Sequence, residues 1–395
     1  MNLLSEAQIV AGNRVTLLKN GEEFFPALIA AIDSAAYEVR LETYIFRDDA
    51  SGTRIAASLT RAAQRGARVH VLIDGVGSGR TSPLFFESMR TAGVSVLVYR
   101  PESDYFNFRS SRLRRTHRKI GLIDGKVGFV GGINLIDDLT ESLSEFPRYD
   151  YAVRIEGPVL ADIYLETERL WRLVTWRKFK RPEKSGPLPH FSKIVPTPTP
   201  GGTKVIFAIR DNFRHRRDIE RAYLRAINGA RREILLTSPY FLPGRHFRRA
   251  LMQAAKRNVS VTLLLQGRAD HVLLQEATRA LYTQLLGAGV TIFEYHKSML
   301  HGKIAVVDNS WSTIGSSNLD PFSLLLNREA NVMVIDEAFA VALRSSVMQE
   351  IAVNAEKLDP AQWQKRRWGA RVRSWFAYGF TRWVSGLLGL GRRRD

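Results

Sequence analysis

Short apolar runs suited to buried strands follow stretches of helical spacing along this chain, and the same succession occurs twice. Ile32-Asp-Ser-Ala-Ala-Tyr-Glu38-Val-Arg-Leu-Glu-Thr in the first half matches Ile227-Asn-Gly-Ala-Arg-Arg-Glu233-Ile-Leu-Leu-Thr-Ser in the second. Each predicts the end of a helix running into a buried strand. AAQRGARVHVLIDG (Ala62 to Gly75) against AAKRNVSVTLLLQG (Ala254 to Gly267) predicts a helix, a short turn and a strand. TAGVSVLVY (Thr91 to Tyr99) then matches GAGVTIFEY (Gly287 to Tyr295), and His117-Arg-Lys-Ile-Gly-Leu-Ile-Asp124 matches His301-Gly-Lys-Ile-Ala-Val-Val-Asp308. Four blocks in one order indicate a duplicated α/β fold.

The spacing between blocks differs at one place. Tyr99 and His117 are 18 residues apart, against 6 for Tyr295 and His301, so the first half carries an insertion within Pro101–Thr116. It is rich in aromatic residues and arginine, which suits either a headgroup-holding loop or a solvated one. The Pro, Ser and Gly content of Lys184–Thr203 marks a linker. The expected division is therefore 1–183, a linker at 184–203, a second repeat at 204–360, and a basic tail at 361–395.

In each half a His and a Lys stand two apart on a predicted strand and project from one face: His117 with Lys119, and His301 with Lys303. Gly121 and Ala305, next on that face, are small and are expected to leave room for a substrate. Ile120, Leu122, Ile304 and Val306 face the other way, into apolar packing. Gly131-Gly-Ile-Asn134 and Gly315-Ser-Ser-Asn318 follow, and 184 residues separate every His, Lys, Asp, Gly and Asn of the pattern from its counterpart. These residue types suit phosphodiester transfer. One neutral imidazole can attack phosphorus, and the other, protonated, can serve the leaving alkoxide. Lys119, Lys303, Asn134 and Asn318 supply cations and donors for the non-bridging oxygens. No Asp/Glu cluster with divalent-ion spacing accompanies the motif, so neither a metal nor another cofactor is expected. RYDYAVRIEGP and NREANVMVID nominate Asp150 and Glu329 as the acids that orient the two rings.

The pattern HxKxxxxD followed by G[GS]xN, present twice, resembles the HKD motif of the phospholipase D superfamily. The resemblance implies two phospholipase D-like α/β/α repeats, each with a central mixed sheet, related by a pseudo-twofold with one active site at their interface. It implies a covalent phosphohistidine intermediate, with His117 as nucleophile and His301 as general acid. Asp124 and Asp308 belong to the motif's catalytic set, although in relatives they stabilise it rather than touch phosphorus. LLKNGEEFFPALIAAIDSAAYEVRLETYIF, HRKIGLIDGKVGFVGGINL, SPYFLP and LHGKIAVVDNSWSTIGSSNLDPFSLLLNREANV extend the resemblance nearly end to end to bacterial cardiolipin synthases. It is the shorter branch, without N-terminal transmembrane helices, that the chain resembles. In that family a phosphatidyl group passes from one phosphatidylglycerol to another and glycerol is released. Relatives of the short branch use other lipids or alcohols as well. Glu42 and Tyr44 are further candidates for the pocket wall or for a structural role.

Composition sharpens the choice of partner. Fifty-eight Lys and Arg against thirty-nine Asp and Glu leave a formal charge of +19, which favours a polyanion, either nucleic acid or an anionic lipid surface. Cysteine is absent, which excludes disulfides and thiolate chemistry. The N-terminal residues show no signal-peptide pattern, and no apolar run reaches the roughly 18–20 residues of a spanning helix. The expectation is a protein at the cytoplasmic face of the inner membrane, held peripherally. Trp363, Trp368, Trp375 and Trp383, interleaved with arginines, suit an amphipathic segment at an anionic interface better than the alternative, a final helix packed on the protein with a solvated basic face. WRLVTWRKFK (Trp171 to Lys180) suits either a second such contact or a structural helix end. A hydrolase or nuclease with the same site is the first rival, but no nucleic-acid module is recognisable. A non-catalytic adaptor would have lost a motif His or Lys, and none is lost.

Overall fold

The computed structural model describes residues 8–101, 114–137, 146–179, 198–211, 214–268, 272–320, 327–366 and 368–387. The first half runs β1 (Val10–Lys19), α1 (Asn20–Asp33), β2 (Glu38–Thr43), α2 (Ala50–Gln64), β3 (Arg68–Asp74), α3 (Pro83–Thr91), β4 (Ser95–Tyr99), β5 (Ile120–Ile123), β6 (Val127–Gly131), β7 (Tyr151–Glu156) and α4 (Leu160–Phe179). The second repeats this series: β8 (Thr203–Arg210), α5 (Asp218–Gly229), β9 (Glu233–Ser238), α6 (Arg245–Lys256), β10 (Ser260–Gln266), α7 (Val272–Gly287), β11 (Thr291–Tyr295), β12 (Ile304–Val307), β13 (Trp311–Gly315), β14 (Glu329–Ile335) and α8 (Glu337–Asn354). β15 (Ala355–Lys357), α9 (Pro360–Gln364) and α10 (Trp368–Leu387) follow.

The strand order is β15-β11-β10-β9-β12-β13-β14-β8-β1-β7-β6-β5-β2-β3-β4. Outward from the middle, β8-β14-β13-β12-β9-β10-β11 matches β1-β7-β6-β5-β2-β3-β4, the pseudo-twofold expected of a duplication. The two mixed sheets are joined edge to edge by β1 and β8, which pair at Val10 with Val205 and Asn13 with Thr203. The tie is deepened by one apolar core that draws on both halves, including Ile120, Leu122, Val153 and Ile155 with Val205, Ile304, Val306 and Val332. Burying each such side chain contributes about 1.5–3 kcal/mol, so the core outweighs the short strand pairing. Helices α4 and α8 cover this core, while α1–α3 and α5–α7 cover separate cores on the opposite face.

Each motif strand turns back through a tight hairpin. Asp124 and Gly125 have φ of 51° and 64°, and Asp308 and Asn309 have 53° and 54°. Positive φ at two successive residues matches the twist of the flanking strands, and Asp, Asn and Gly tolerate it best. Residues 102–113 of the insertion, 184–197 of the expected linker and 388–395 of the expected tail lie outside the described residues. Trp171, a candidate surface residue, is instead buried and stacked on His70 at 4.3 Å. Trp176 is exposed.

Candidate active site

Both HxK pairs sit immediately before their strands β5 and β12, where the backbone of one half borrows hydrogen bonds from the other. The His117 N–H donates to the Arg328 carbonyl at 2.9 Å, and the His301 N–H donates to the Tyr149 carbonyl at 2.8 Å. The carboxylates that orient the rings are crossed in the same sense. His117 Nδ1 lies 3.1 Å from Glu329 Oε2, and His301 Nδ1 lies 2.5 Å from Asp150 Oδ2. Thus Glu329 of the second half serves the first histidine, and Asp150 of the first half serves the second. Tying Nδ1–H to a carboxylate leaves the Nε2 lone pair of each ring for chemistry.

Lys119 Nζ donates to the His117 carbonyl at 2.9 Å, and Lys303 Nζ donates to the His301 carbonyl. An ammonium carries three donors, so most of each lysine's capacity remains for an anion. Burial lowers Lys119 to about 7 and Lys303 to about 8. Burial, and then Lys119, holds His117 below the ordinary imidazole range against the pull of Glu329. His301 is pushed well below it by burial and then by Lys303, Lys119 and Arg148. Glu329 is raised by burial, but His117 and Lys119 outweigh this and keep its carboxyl below the usual range. Each lysine therefore acts on the histidine of the other motif, which places all four groups in one site. Burial is the first cause of each lowering, and the charge of a bound phosphodiester would favour the protonated forms.

Asp124 and Asp308 hold the scaffold. Asp124 accepts the N–H groups of Ala36, Tyr37 and Glu38 at 2.7–2.9 Å, pinning the start of β2. Asp308 does the same for Arg231, Arg232 and Glu233 at the start of β9. Asn134 Oδ1 accepts the Ile45 N–H at 3.2 Å, whereas Asn318 Oδ1 is buried with no partner among the described residues. Ile120, Leu122, Ile304 and Val306 face the shared core as expected.

Gly121 and Ala305 do not open substrate room. A Cβ on Gly121 would lie 3.3 Å from Leu28 Cδ1, and Ala305 is buried in the second repeat's own core. The strand passes from the cleft into packing directly after its lysine, so the small residues serve packing.

Of the two further candidates, Glu42 is structural: it forms a buried ion pair with Arg118 at 2.7 Å. Tyr44 belongs to the site, with its ring edge-on to His117 at a centroid distance of 4.9 Å and Lys119 Nζ 5.4 Å from its centroid. Three supports escaped the sequence reading. Ser316 Oγ donates to Glu329 Oε2 at 2.5 Å, Asn20 Oδ1 accepts the Asp150 N–H at 3.1 Å, and buried Arg148 adds positive charge near His301. Ser316 lies inside the motif and was findable; Asn20 and Arg148 carry no pattern that marks them. Among the described residues, no group of three or more His, Asp or Glu side chains could hold a metal ion.

Comparison with known proteins agrees with this architecture. The family model described as "Cardiolipin synthase, PLD-like domain" matches residues 28–170 and 223–351, one segment per repeat. Cardiolipin synthase B of Escherichia coli (strain K12) is 39% identical over 387 residues, covering 96% of this chain and 90% of that protein. A cardiolipin synthase of Geobacillus kaustophilus is 31% identical over 98% of this chain and 74% of its own. The crystal structure of a phosphatidylserine synthase from Haemophilus influenzae superposes with a TM-score of 0.70 at 15% identity, covering 98% of this chain and 97% of that one, and so shares the fold. With both repeats matched and the sequence likeness running almost end to end, the chain belongs to the cardiolipin synthase family of phospholipase D-like proteins.

Proposed function

We propose that the protein is a cardiolipin synthase that moves a phosphatidyl group between two phosphatidylglycerol molecules through a phosphohistidine, with no metal. His117 Nε2 attacks the phosphorus of the first phosphatidylglycerol, the bond from phosphorus to the headgroup glycerol oxygen breaks, and His301, whose protonated form the bound phosphodiester's charge favours, protonates that oxygen so that glycerol leaves. His301, now neutral, takes the proton from the terminal hydroxyl of a second phosphatidylglycerol. The resulting oxygen attacks phosphorus, the bond to Nε2 breaks, and cardiolipin is released. Lys119, Lys303 and the two asparagines, Asn134 and Asn318, offset charge on the non-bridging oxygens. The crossed pair of carboxylate-bound imidazoles, with a lysine beside each, is the observation that carries this reading.

The membrane contact is assigned to α10. Its inward face is small and polar, with Ser374, Ala377 and Thr381 buried, and Ser374 bonded to Glu276 of α7 at 2.7 Å. Its outward face carries Trp368, Trp375, Phe376 and Trp383, exposed to 57–79%. An exposed face more apolar than the buried one suits an interface with lipid. No helix among the described residues is long and apolar enough to cross a membrane. We read the protein as peripheral, at the cytoplasmic face, on anionic lipid.

The test is to incubate the purified protein and chelator with phosphatidylglycerol vesicles, and to analyse the lipids by mass spectrometry. Cardiolipin with free glycerol is expected. Phosphatidic acid alone would make water the acceptor and overturn the transferase reading.

A further inference from the structure

A cleft of about 160 Å³, open to solvent, lies between α6 and α7 and is lined by Arg245, Arg248, Arg249, Met252 and Gln284. It shares no residue with the catalytic site. Three guanidinium groups face one cleft, and no carboxylate lines it. Arg245 and Arg249 are exposed and form no ion pair or hydrogen bond among the described residues. Arg248 is more than nine-tenths buried. Its Nη1 and Nη2 donate to Gln284 Oε1 at 3.4 Å and Tyr378 Oη at 3.2 Å, while its Nε has no partner. A buried unpaired donor on a charged group is costly, and three like charges around one cleft add repulsion. The like-charge repulsion is relieved by one oxyanion in the cleft, for which the planar guanidinium is the best-matched side chain.

Position narrows the source of that anion. Tyr378, which accepts from Arg248 and stacks near its guanidinium at 5.8 Å, belongs to α10. The same helix turns Trp375 and Phe376 outward. An oxyanion in the cleft therefore sits close to the helix whose apolar face is proposed to enter the bilayer. We propose that this arginine cleft is a second, non-catalytic site for the phosphodiester headgroup of an anionic lipid, which holds the enzyme on its substrate-bearing membrane. The lipid nature of the occupant rests on the reading of α10 as the membrane contact; the oxyanion site itself does not.

The test compares Arg245→Gln/Arg249→Gln with Arg54→Gln/Lys126→Gln, which removes the same charge from exposed positions of the first half. Binding is measured by co-sedimentation with vesicles of phosphatidylcholine, with and without phosphatidylglycerol. Thermal melting confirms that both variants are folded, and turnover of short-chain soluble phosphatidylglycerol confirms that the catalytic site is intact. We expect the cleft variant to lose roughly tenfold or more in affinity for phosphatidylglycerol vesicles relative to the control, about a kcal/mol per arginine being the ordinary value at such a surface. Inorganic phosphate then identifies the occupant. If it fails to compete for the arginine-dependent binding, the site reads a lipid headgroup. If it competes at millimolar level, phosphate alone suffices, and the oxyanion site stands without its lipid assignment. Equal losses in the cleft and control variants would overturn the proposal. Trp375→Ala/Phe376→Ala separates the two readings: its loss of vesicle binding alongside an unaffected cleft variant leaves α10 as anchor and removes the cleft, and the reverse removes the anchor and keeps the cleft.

Discussion

The two motifs share a backbone but not the side chains beneath it. Under the first, Arg118 pairs with Glu42, and buried Asp74 accepts from Arg115 and from the Thr116 N–H at 2.9 Å. Under the second, the same places hold Gly302, Thr237 and Gln266, and the Gln266 side chain accepts the Leu300 N–H at 2.7 Å with no charge involved. The orienting acids differ in the same way. Glu329 reaches His117 with Ser316 bonded to it, whereas the shorter Asp150 comes so close to its own loop that a Cβ on Gly132, the counterpart of Ser316, would lie 2.2 Å from Asp150 Oδ1. Duplication supplied two equal histidines, and the divergence of their surroundings fits two different jobs.

The most severe way to probe that division is to remove each ring. His117→Ala should abolish transfer, a loss of at least about 10⁴-fold. His301→Ala should also lose steady-state turnover but accumulate a phosphatidyl adduct on His117, visible as added mass in the intact protein. Normal steady-state activity in either variant would sink the assignment. Next come the acids. Glu329→Gln and Asp150→Asn keep the shape but offer the wrong hydrogen-bonding partner to Nδ1, and each should lower kcat about 10²–10⁴-fold, by analogy with a triad acid, while leaving folding intact.

Stability gives a third comparison. Arg118→Gly or Glu42→Thr alone strands a buried charge and should cost about 3–5 kcal/mol in denaturant unfolding. The double variant copies the second motif's floor and should cost clearly less than the two losses combined. Strict additivity would show that the ion pair is not a coupled unit. The smallest effect expected is on anion affinity. Lysines lowered to about 7 and 8 are charged below those values and neutral above them. Competitive inhibition by sulfate, whose own charge is constant there, should therefore weaken as pH rises through 7–8. Inhibition flat with pH would mean the lysines stay charged.

The legible part of this molecule was whatever repeats. The doubled blocks disclosed the strand and helix order, the shared apolar face of β5 and β12, and the nomination of Asp150 and Glu329. Which acid serves which ring was not legible, because the crossing arises only when Thr116 pairs beside Arg328 and Leu300 beside Tyr149. β1 and β8 lie outside the four matched blocks, so the joining of the sheets was hidden too. Gly121 was misjudged because alternation tells which face a residue takes but not how far along the strand the cleft extends. For Trp171 a surface contact and a structural helix end both stayed open, because a Trp near basic residues reads alike whether it faces solvent or stacks on His70.

The crossing also bears on how the chain is made. His117 acquires its carboxylate only from residue 329, and β1 waits for β7, more than a hundred residues downstream, to complete its sheet. Contacts of such sequence separation form late, and domains emerge from synthesis N-terminal part first. A ribosome-bound first half can thus fold around α1 and α2 while its histidine still lacks a proton acceptor on Nδ1. Until residue 329 has been translated, His117 lacks the carboxylate that orients its ring.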